Sequence, residues 1–291
     1  MTEMFKIQFT IYSDMVEKFL EELPWGEDVL SQSMRYSLVG GGKRIRPVLA
    51  LACCEVVGGN SGEIVRFASA LELIHTYSLI HDDLPAMDND DYRRGKLSNH
   101  KVFGEGKAIL AGDALLTYAF ELLAGESKLP PELRLRVIRE VALAAGPTGM
   151  VGGQVLDLEG EGKKLDLSEI EQIHQAKTGA MLIVSARMGA ILGKGTEQEI
   201  EQLTRYAKAI GLAFQIKDDI LDIEGDSATL GKPAQSDLRQ EKSTYPSLLG
   251  LEGAKTHLNR QIAEAKEAVK IFGMRAEFLS CLADYIALRQ H

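Results

Sequence analysis

The sequence has no run of about eighteen apolar residues, so nothing in it reads as a membrane-spanning helix. Its start, Met1-Thr2-Glu3-Met4-Phe5-Lys6, lacks the basic and apolar segments of a secretion signal. Cysteine is scarce. Cys53, Cys54 and Cys281 form neither an even disulfide framework nor a metal-type spacing, which fits buried thiols in a reducing cytoplasm. Positive charge is outnumbered, 33 Lys and Arg against 42 Asp and Glu, and the net charge of -9 argues against a general nucleic-acid binder. The alternation that marks strands is nearly absent. What is present is 291 residues, 45% hydrophobic and 26% charged, enough apolar material for a large core.

The periodicity is helical almost throughout. Phe5, Phe9, Tyr12, Val16, Phe19, Leu20 and Leu23 step by three and four, the stripe of an amphipathic helix. Ser168-Glu169-Ile170-Glu171 and Thr196-Glu197-Gln198-Glu199 each read as a capping box. Pro130-Pro131 opens a helix over 132–145, since proline suits a first turn. Further helices are expected over 27–38, 46–57, 62–84, 107–124, 169–193, 198–223, 254–271 and 274–289. No linker or low-complexity segment divides the chain, so residues 1–291 read as a single all-α domain.

Two acidic knots stand out: Asp82-Asp83-Leu84-Pro85-Ala86-Met87-Asp88 and Asp218-Asp219-Ile220-Leu221-Asp222. Each follows an apolar helical run. One alone could be a solvated loop or a helix cap. Two together suggest carboxylates gathered around hard divalent cations, which prefer oxygen ligands. On a helix Asp218 and Asp222 share one face, about 40° apart, while Asp219 points about 100° away toward a supporting role. Asp82 and Asp88 fall on different faces of a straight helix. Pro85 disfavours helix at Leu84, so a break there lets Asp88 swing back beside Asp82.

Other metal patterns fit less well. Asp88-Asn89-Asp90-Asp91-Tyr92-Arg93-Arg94-Gly95 is not a calcium loop, because Tyr92 fills a liganding position and the glycine is misplaced. No His-Glu-x-x-His motif occurs, and nothing supplies soft sulfur ligands. Magnesium takes one or two carboxylates and completes its shell with water and phosphate. The acidic knots plus nearby cations therefore suggest a diphosphate held through Mg2+. The cations are Gly40-Gly41-Gly42-Lys43-Arg44-Ile45-Arg46-Pro47, a glycine turn before a helix, then Arg93-Arg94, Lys177-Thr178 and Gly231-Lys232-Pro233. The glycine turn is not a Walker A loop, since Arg44 follows Lys43.

These residues resemble the short-chain trans-isoprenyl diphosphate synthases, the bacterial farnesyl diphosphate synthases above all. The resemblance rests on Gly41 to Pro47, on His75-Thr76-Tyr77-Ser78-Leu79-Ile80-His81 leading into the first knot, and on Arg93-Arg94-Gly95. It continues with Gly152-Gly153-Gln154, Lys177-Thr178-Gly179, Phe214-Gln215-Ile216-Lys217, Gly231-Lys232-Pro233 and Lys242-Ser243-Thr244-Tyr245-Pro246. The motifs follow family order over about residues 35 to 250. Leu97-Ser98 and Gln235 depart from the usual Pro-Thr and Gly, without removing a charged ligand.

The resemblance implies a helical bundle of the isoprenoid synthase type with a central active-site cavity. It implies condensation of an allylic diphosphate with isopentenyl diphosphate, by a cytoplasmic enzyme that works as a homodimer. It implies three Mg2+ ions on Asp82, Asp88 and Asp218, with Asp83 and Asp222 completing the acidic network. Arg93, Lys177 and Lys232 would hold the allylic diphosphate with those ions. Lys43, Arg46, His75 and Arg94 would hold isopentenyl diphosphate without metal, and Thr178 and Gln215 would lie near the developing allylic cation. Tyr77, five residues before Asp82, would limit chain growth at farnesyl length, with the small Ser78 beside it. The same scaffold also serves geranyl or geranylgeranyl synthesis. A terpene cyclase needs no second diphosphate site, and a non-catalytic partner subunit would be expected to lose its acidic ligands. The basic end, Arg289-Gln290-His291, either folds over the site or frays, and fraying is the expectation because termini usually fray.

Overall fold

The computed structural model describes residues 2–39, 41–224 and 243–289. It is all-helical apart from one small hairpin. In chain order the elements are α1 (Glu3–Glu21), α2 (Val29–Leu38), α3 (Ile45–Val56) and α4 (Ser61–Asp82). The hairpin strands β1 (Tyr92–Arg93) and β2 (Lys96–Leu97) follow, then α5 (Asn99–Phe103), α6 (Glu105–Ala124), α7 (Pro131–Ala145) and α8 (Met150–Gly160). Next come α9 (Leu167–His174), a π-helical turn (Gln175–Gly179), α10 (Ala180–Leu192) and α11 (Glu197–Glu224). After the gap in the described residues come α12 (Tyr245–Val269), a 3-10 turn (Lys270–Ala276) and α13 (Glu277–Leu288).

The centre is made of α3, α4, α10 and α11. Helix α3 packs between α4 and α10, α10 against α11, and α11 against α12. Both α3 and α10 are apolar on nearly all sides, as buried helices must be. They meet closely at Gly189, where a Cβ would lie 2.0 Å from the Ala50 carbonyl oxygen. Leu49, Leu71 and Ile74 are fully buried, each worth about 1.5–3 kcal/mol of apolar burial. Helix α1 lays its stripe of Phe5, Tyr12, Val16 and Leu20 onto this centre.

The sequence signals are realised unevenly. Pro131 occupies the first turn of α7. Thr196 and Glu199 form the expected capping box, with Glu199 N–H donating to Thr196 Oγ1 at 3.2 Å and Thr196 N–H to Glu199 Oε2 at 2.8 Å. The other box is capped by Asp166 rather than Ser168, because Glu169 sits three residues after Asp166 and bonds back to it. The single helix expected over 169–193 is interrupted by the π turn, and α8 was not foreseen.

Candidate active site

Helix α4 ends at Asp82, and the chain turns through Leu84 to Met87 around Pro85. The Asp88 N–H donates to the Asp82 carbonyl at 2.9 Å. The break therefore returns Asp88 to the side of Asp82, as the proline implied. Burial pushes the Asp82 carboxyl up to about 6; Lys177 opposes that, and Asp88 adds to it. A carboxylate so placed gains from a cation.

Asp83 turns inward and is nearly buried. Its Oδ1 accepts from Arg93 Nε at 2.8 Å and also from Nη2, while Arg93 reaches Asp90 at 3.1 Å. Arg93 and Arg94 face opposite ways because the hairpin turns on Arg94 (φ 54) and Gly95 (φ 76), a two-residue turn of left-handed backbone. Arg94 instead donates to the Gly41 carbonyl and lies against Gly42, where a Cβ would sit 2.7 Å from its Cζ.

The second knot stays within the continuous helix α11. Asp219 is buried and accepts from the Tyr245 N–H at 3.0 Å and from Gln215 Nε2 at 3.3 Å. It ties α11 to the start of α12, the supporting role its angle predicted. Gln215 Oε1 in turn accepts from the Thr178 hydroxyl at 3.3 Å. Asp222 is buried and Asp218 is partly exposed.

The C-terminal expectation needs correction. Arg289 does not fray: it is 7% exposed. Its Nη2 donates to Asp218 Oδ1 at 2.7 Å and to the Phe214 carbonyl at 2.8 Å, and its guanidinium lies 3.7 Å over the Phe214 ring. A cation–π contact combined with an ion pair outweighs terminal fraying.

Lys177 and Thr178 sit on the π turn, a helix irregularity found often at functional sites. Helix α8 presses on that turn through Gly153, where a Cβ would lie 2.3 Å from the Lys177 backbone nitrogen. Asp157, also on α8, accepts from Lys177 Nζ at 2.6 Å. Asp157 went unnoticed in the sequence because Gly152-Gly153 reads as punctuation. Val151, Val155 and Leu158 carry the helical period that reveals α8.

Four of the predicted diphosphate-binding residues converge. Lys43, Arg46, His75 and Arg94 line one cavity of about 510 Å³, with Thr178 and Phe214 on its wall. Burial and the surrounding arginines hold His75 well below the ordinary histidine range, so it is neutral. Arg46 Nε is buried without a hydrogen-bond partner. Burial lowers Lys43; Arg289 lowers it further, against the opposing pull of Asp218. Lys43 thus senses the second knot directly, and the cationic cavity adjoins it. A larger open groove of about 1210 Å³ along α7 to α10 includes Gly152 and Gly153 but none of the predicted catalytic, metal or diphosphate-binding residues, so chemistry rather than volume identifies the site.

Tyr77 is buried, its ring edge-on to His81 at 5.7 Å, and Ser78 Oγ donates to the His75 carbonyl at 2.9 Å. Lys232 and Gln235 lie outside the described residues. Among the described residues no three His, Cys, Asp or Glu side chains converge tightly enough to hold an ion alone. Mg2+ binds through one or two carboxylates, with water and phosphate making up the shell. The all-oxygen donors of the knots suit it as well.

The polyprenyl synthetase family model matches residues 27–274. The chain belongs to that family. It is 50% identical over 278 residues to a farnesyl diphosphate synthase of Geobacillus stearothermophilus, covering 95% of this chain and 93% of the relative. It is 48% identical over 292 residues to a chloroplastic geranylgeranyl pyrophosphate synthase of Capsicum annuum, covering 99% of this chain and 79% of that one. A solved FPP/GFPP synthase from Zymomonas mobilis superposes with a TM-score of 0.89 at 40% identity, covering 98% of this chain and all of that structure. The isoprenoid synthase fold of these polyprenyl synthetases accounts for the all-helical bundle around the two knots. No helix among the described residues is long and apolar enough to cross a membrane.

Proposed function

We propose that the chain is a Mg2+-dependent trans-prenyltransferase that condenses isopentenyl diphosphate with dimethylallyl or geranyl diphosphate to give farnesyl diphosphate. The observation that carries this reading is the cationic cavity beside the acidic knots. Two anion sites of different chemistry lie next to each other, one suited to metal and one built of side chains. A terpene cyclase has no use for the second. We further take residues 1–291 to act as one domain, on the strength of one apolar core running from Phe5 to Ile286. We also propose that the protein works as a homodimer in the cytoplasm.

Asp82, Asp88 and Asp218 would hold three Mg2+ ions, with Asp222 behind them. Bound Mg2+ neutralises the allylic diphosphate and so makes it a competent leaving group. The chain's own residues do the rest. Lys177, steadied by Asp157, donates to the departing diphosphate, with Lys232 as a second cation. Arg93, expected on the allylic diphosphate, braces Asp83 in the knot and would add its charge to the diphosphate from there. Lys43, Arg46 and Arg94 bind the isopentenyl diphosphate, and neutral His75 donates an N–H there. The oxygens of Thr178 and Gln215 stand where positive charge develops on the allyl group and stabilise it as fixed dipoles. Phe214 and the helix walls keep water from that charge. The proton lost after carbon–carbon bond formation goes to the departed diphosphate.

Tyr77 would set the product at farnesyl length. Geranylgeranyl synthesis is the alternative product on the same scaffold. The decisive experiment is incubation with isopentenyl diphosphate plus dimethylallyl or geranyl diphosphate, with and without Mg2+, followed by chromatographic sizing. Farnesyl diphosphate formed only with Mg2+ is the expected result. No elongation with any allylic substrate would sink the proposal.

A further inference from the structure

The basic run Lys43-Arg44-Ile45-Arg46 divides its labour. Lys43 and Arg46 offer charge to the cavity, whereas the Arg44 guanidinium is 1% exposed and spent on protein acceptors. Its Nε donates to Glu17 Oε1 at 2.7 Å and its Nη2 to Glu17 Oε2 at 3.2 Å. The same Nη2 reaches the Leu38 carbonyl at 2.6 Å, and Nη1 reaches Glu72 Oε1 at 2.5 Å. Arg44 therefore ties α1, the end of α2 and α4 to the start of α3.

The backbone is distorted to make this possible. Arg44 stands in the left-handed region, φ 50 and ψ 29, a conformation unfavourable for a residue with a Cβ. Such a conformation persists only where surrounding contacts over-determine it. Glu17 and Glu72 supply those contacts. On either side of this fixed point, Lys43 and Arg46 reach the cavity. Arg46 Nε finds no acceptor among the described residues. Glu72 also lies 3.9 Å from Arg94 Nη2, and it is the one carboxylate among the cavity's lining residues.

We infer that Glu17 and Glu72 are positioning residues for the metal-free diphosphate site, acting through Arg44. The inference rests on the reading of the cavity as that site. Glu17 is the cleaner probe. It does not line the cavity, its side chain is 30% exposed, and it bears on the site by holding Arg44.

The test uses the full chain with Glu17→Ala, and with Glu17→Gln, which keeps one acceptor. The KM of each substrate is measured separately, and binding of inorganic diphosphate is titrated without Mg2+. Loosening a positioned charge by a fraction of an ångström costs about tenfold. Glu17→Ala should raise the KM for isopentenyl diphosphate and the Kd for inorganic diphosphate by about that factor. The allylic KM and kcat should stay within about twofold, and Glu17→Gln should fall between. If Glu17→Ala does not fold, Glu17→Gln carries the same comparison. An unchanged isopentenyl KM, or both KM values rising together, overturns the positioning role. Wild-type protein that binds no inorganic diphosphate without Mg2+ overturns the cavity reading itself, and this inference with it.

Discussion

The first acidic knot is built on a broken helix and the second on an unbroken one, yet both spend their carboxylates in the same way. In each, the second aspartate is given to the fold: Asp83 at 2% exposure to Arg93, and Asp219 at 4% to the Tyr245 N–H. The first aspartate of each faces the active site with a protein cation near it, Lys177 by Asp82 and Arg289 by Asp218. A run of adjacent aspartates is thus two functions interleaved. Charges left for a ligand alternate with charges that hold the scaffold. The knots differ in their counterions. Lys177 is itself gripped by Asp157, whereas Arg289 lies at the very end of the described chain.

The largest expected effect separates ligand from scaffold. Asp82→Ala and Asp218→Ala should each cut turnover by roughly a hundredfold or more, with helix content and melting behaviour near wild type. Near-normal turnover in either variant would remove that aspartate from the metal assignment. The scaffold members should respond in the opposite sense. Asp83→Asn removes the negative charge that offsets half-buried Arg93, leaving it only Asp90 at 3.1 Å as an ion-pair partner, and should cost about 2 kcal/mol of stability. Asp219→Asn keeps one acceptor oxygen and should cost nearer 1 kcal/mol. Urea unfolding reads both, and a loss in Asp219→Asn exceeding that in Asp83→Asn would reverse the ranking.

A smaller effect probes the counterions. Arg289 competes with any cation for Asp218. Partly exposed ion pairs are worth about 0.2–1 kcal/mol. Arg289→Ala should therefore lower the Mg2+ concentration that half-saturates binding by up to about fivefold, read by calorimetric titration of Mg2+ with inorganic diphosphate present. A rise in the required Mg2+ would mean that Arg289 helps to assemble the metal site instead of guarding it.

The residues that carry these effects were not equally legible. Amphipathic stripes announced the helices because packing against a core leaves a period in the sequence. Pro85 announced the break because its ring forbids helix before it. The three cavity cations and His75 were legible as motifs, but their convergence joins residues as far apart as Lys43 and Arg94. Glu17, Glu72 and Asp157 were invisible for that reason, and Arg289 was noticed but not paired with Asp218. Each matters through one long-range partner, and a lone acidic or basic residue on a helix looks like solvated charge. The π turn escaped because Lys177-Thr178-Gly179 has ordinary helix composition. Its shape is imposed by α8 pressing on it at Gly153.

The smallest expected change in rate carries the finest distinction between the knots. Only the helix entering the first knot is proposed to measure the product. Tyr77 lies one and a half turns before Asp82 and is packed edge-on against His81. Removing the ring in Tyr77→Ala opens room for about one further isoprene unit, so longer products should appear while farnesyl declines. Turnover should change little, because the knot and its cations are untouched. Substitution in the helix entering the second knot, at partly buried Lys217, should leave the length distribution alone. Chromatographic sizing of both variants decides it. An unchanged length in Tyr77→Ala would leave the two knots equivalent in specificity and different only in how the backbone presents their carboxylates.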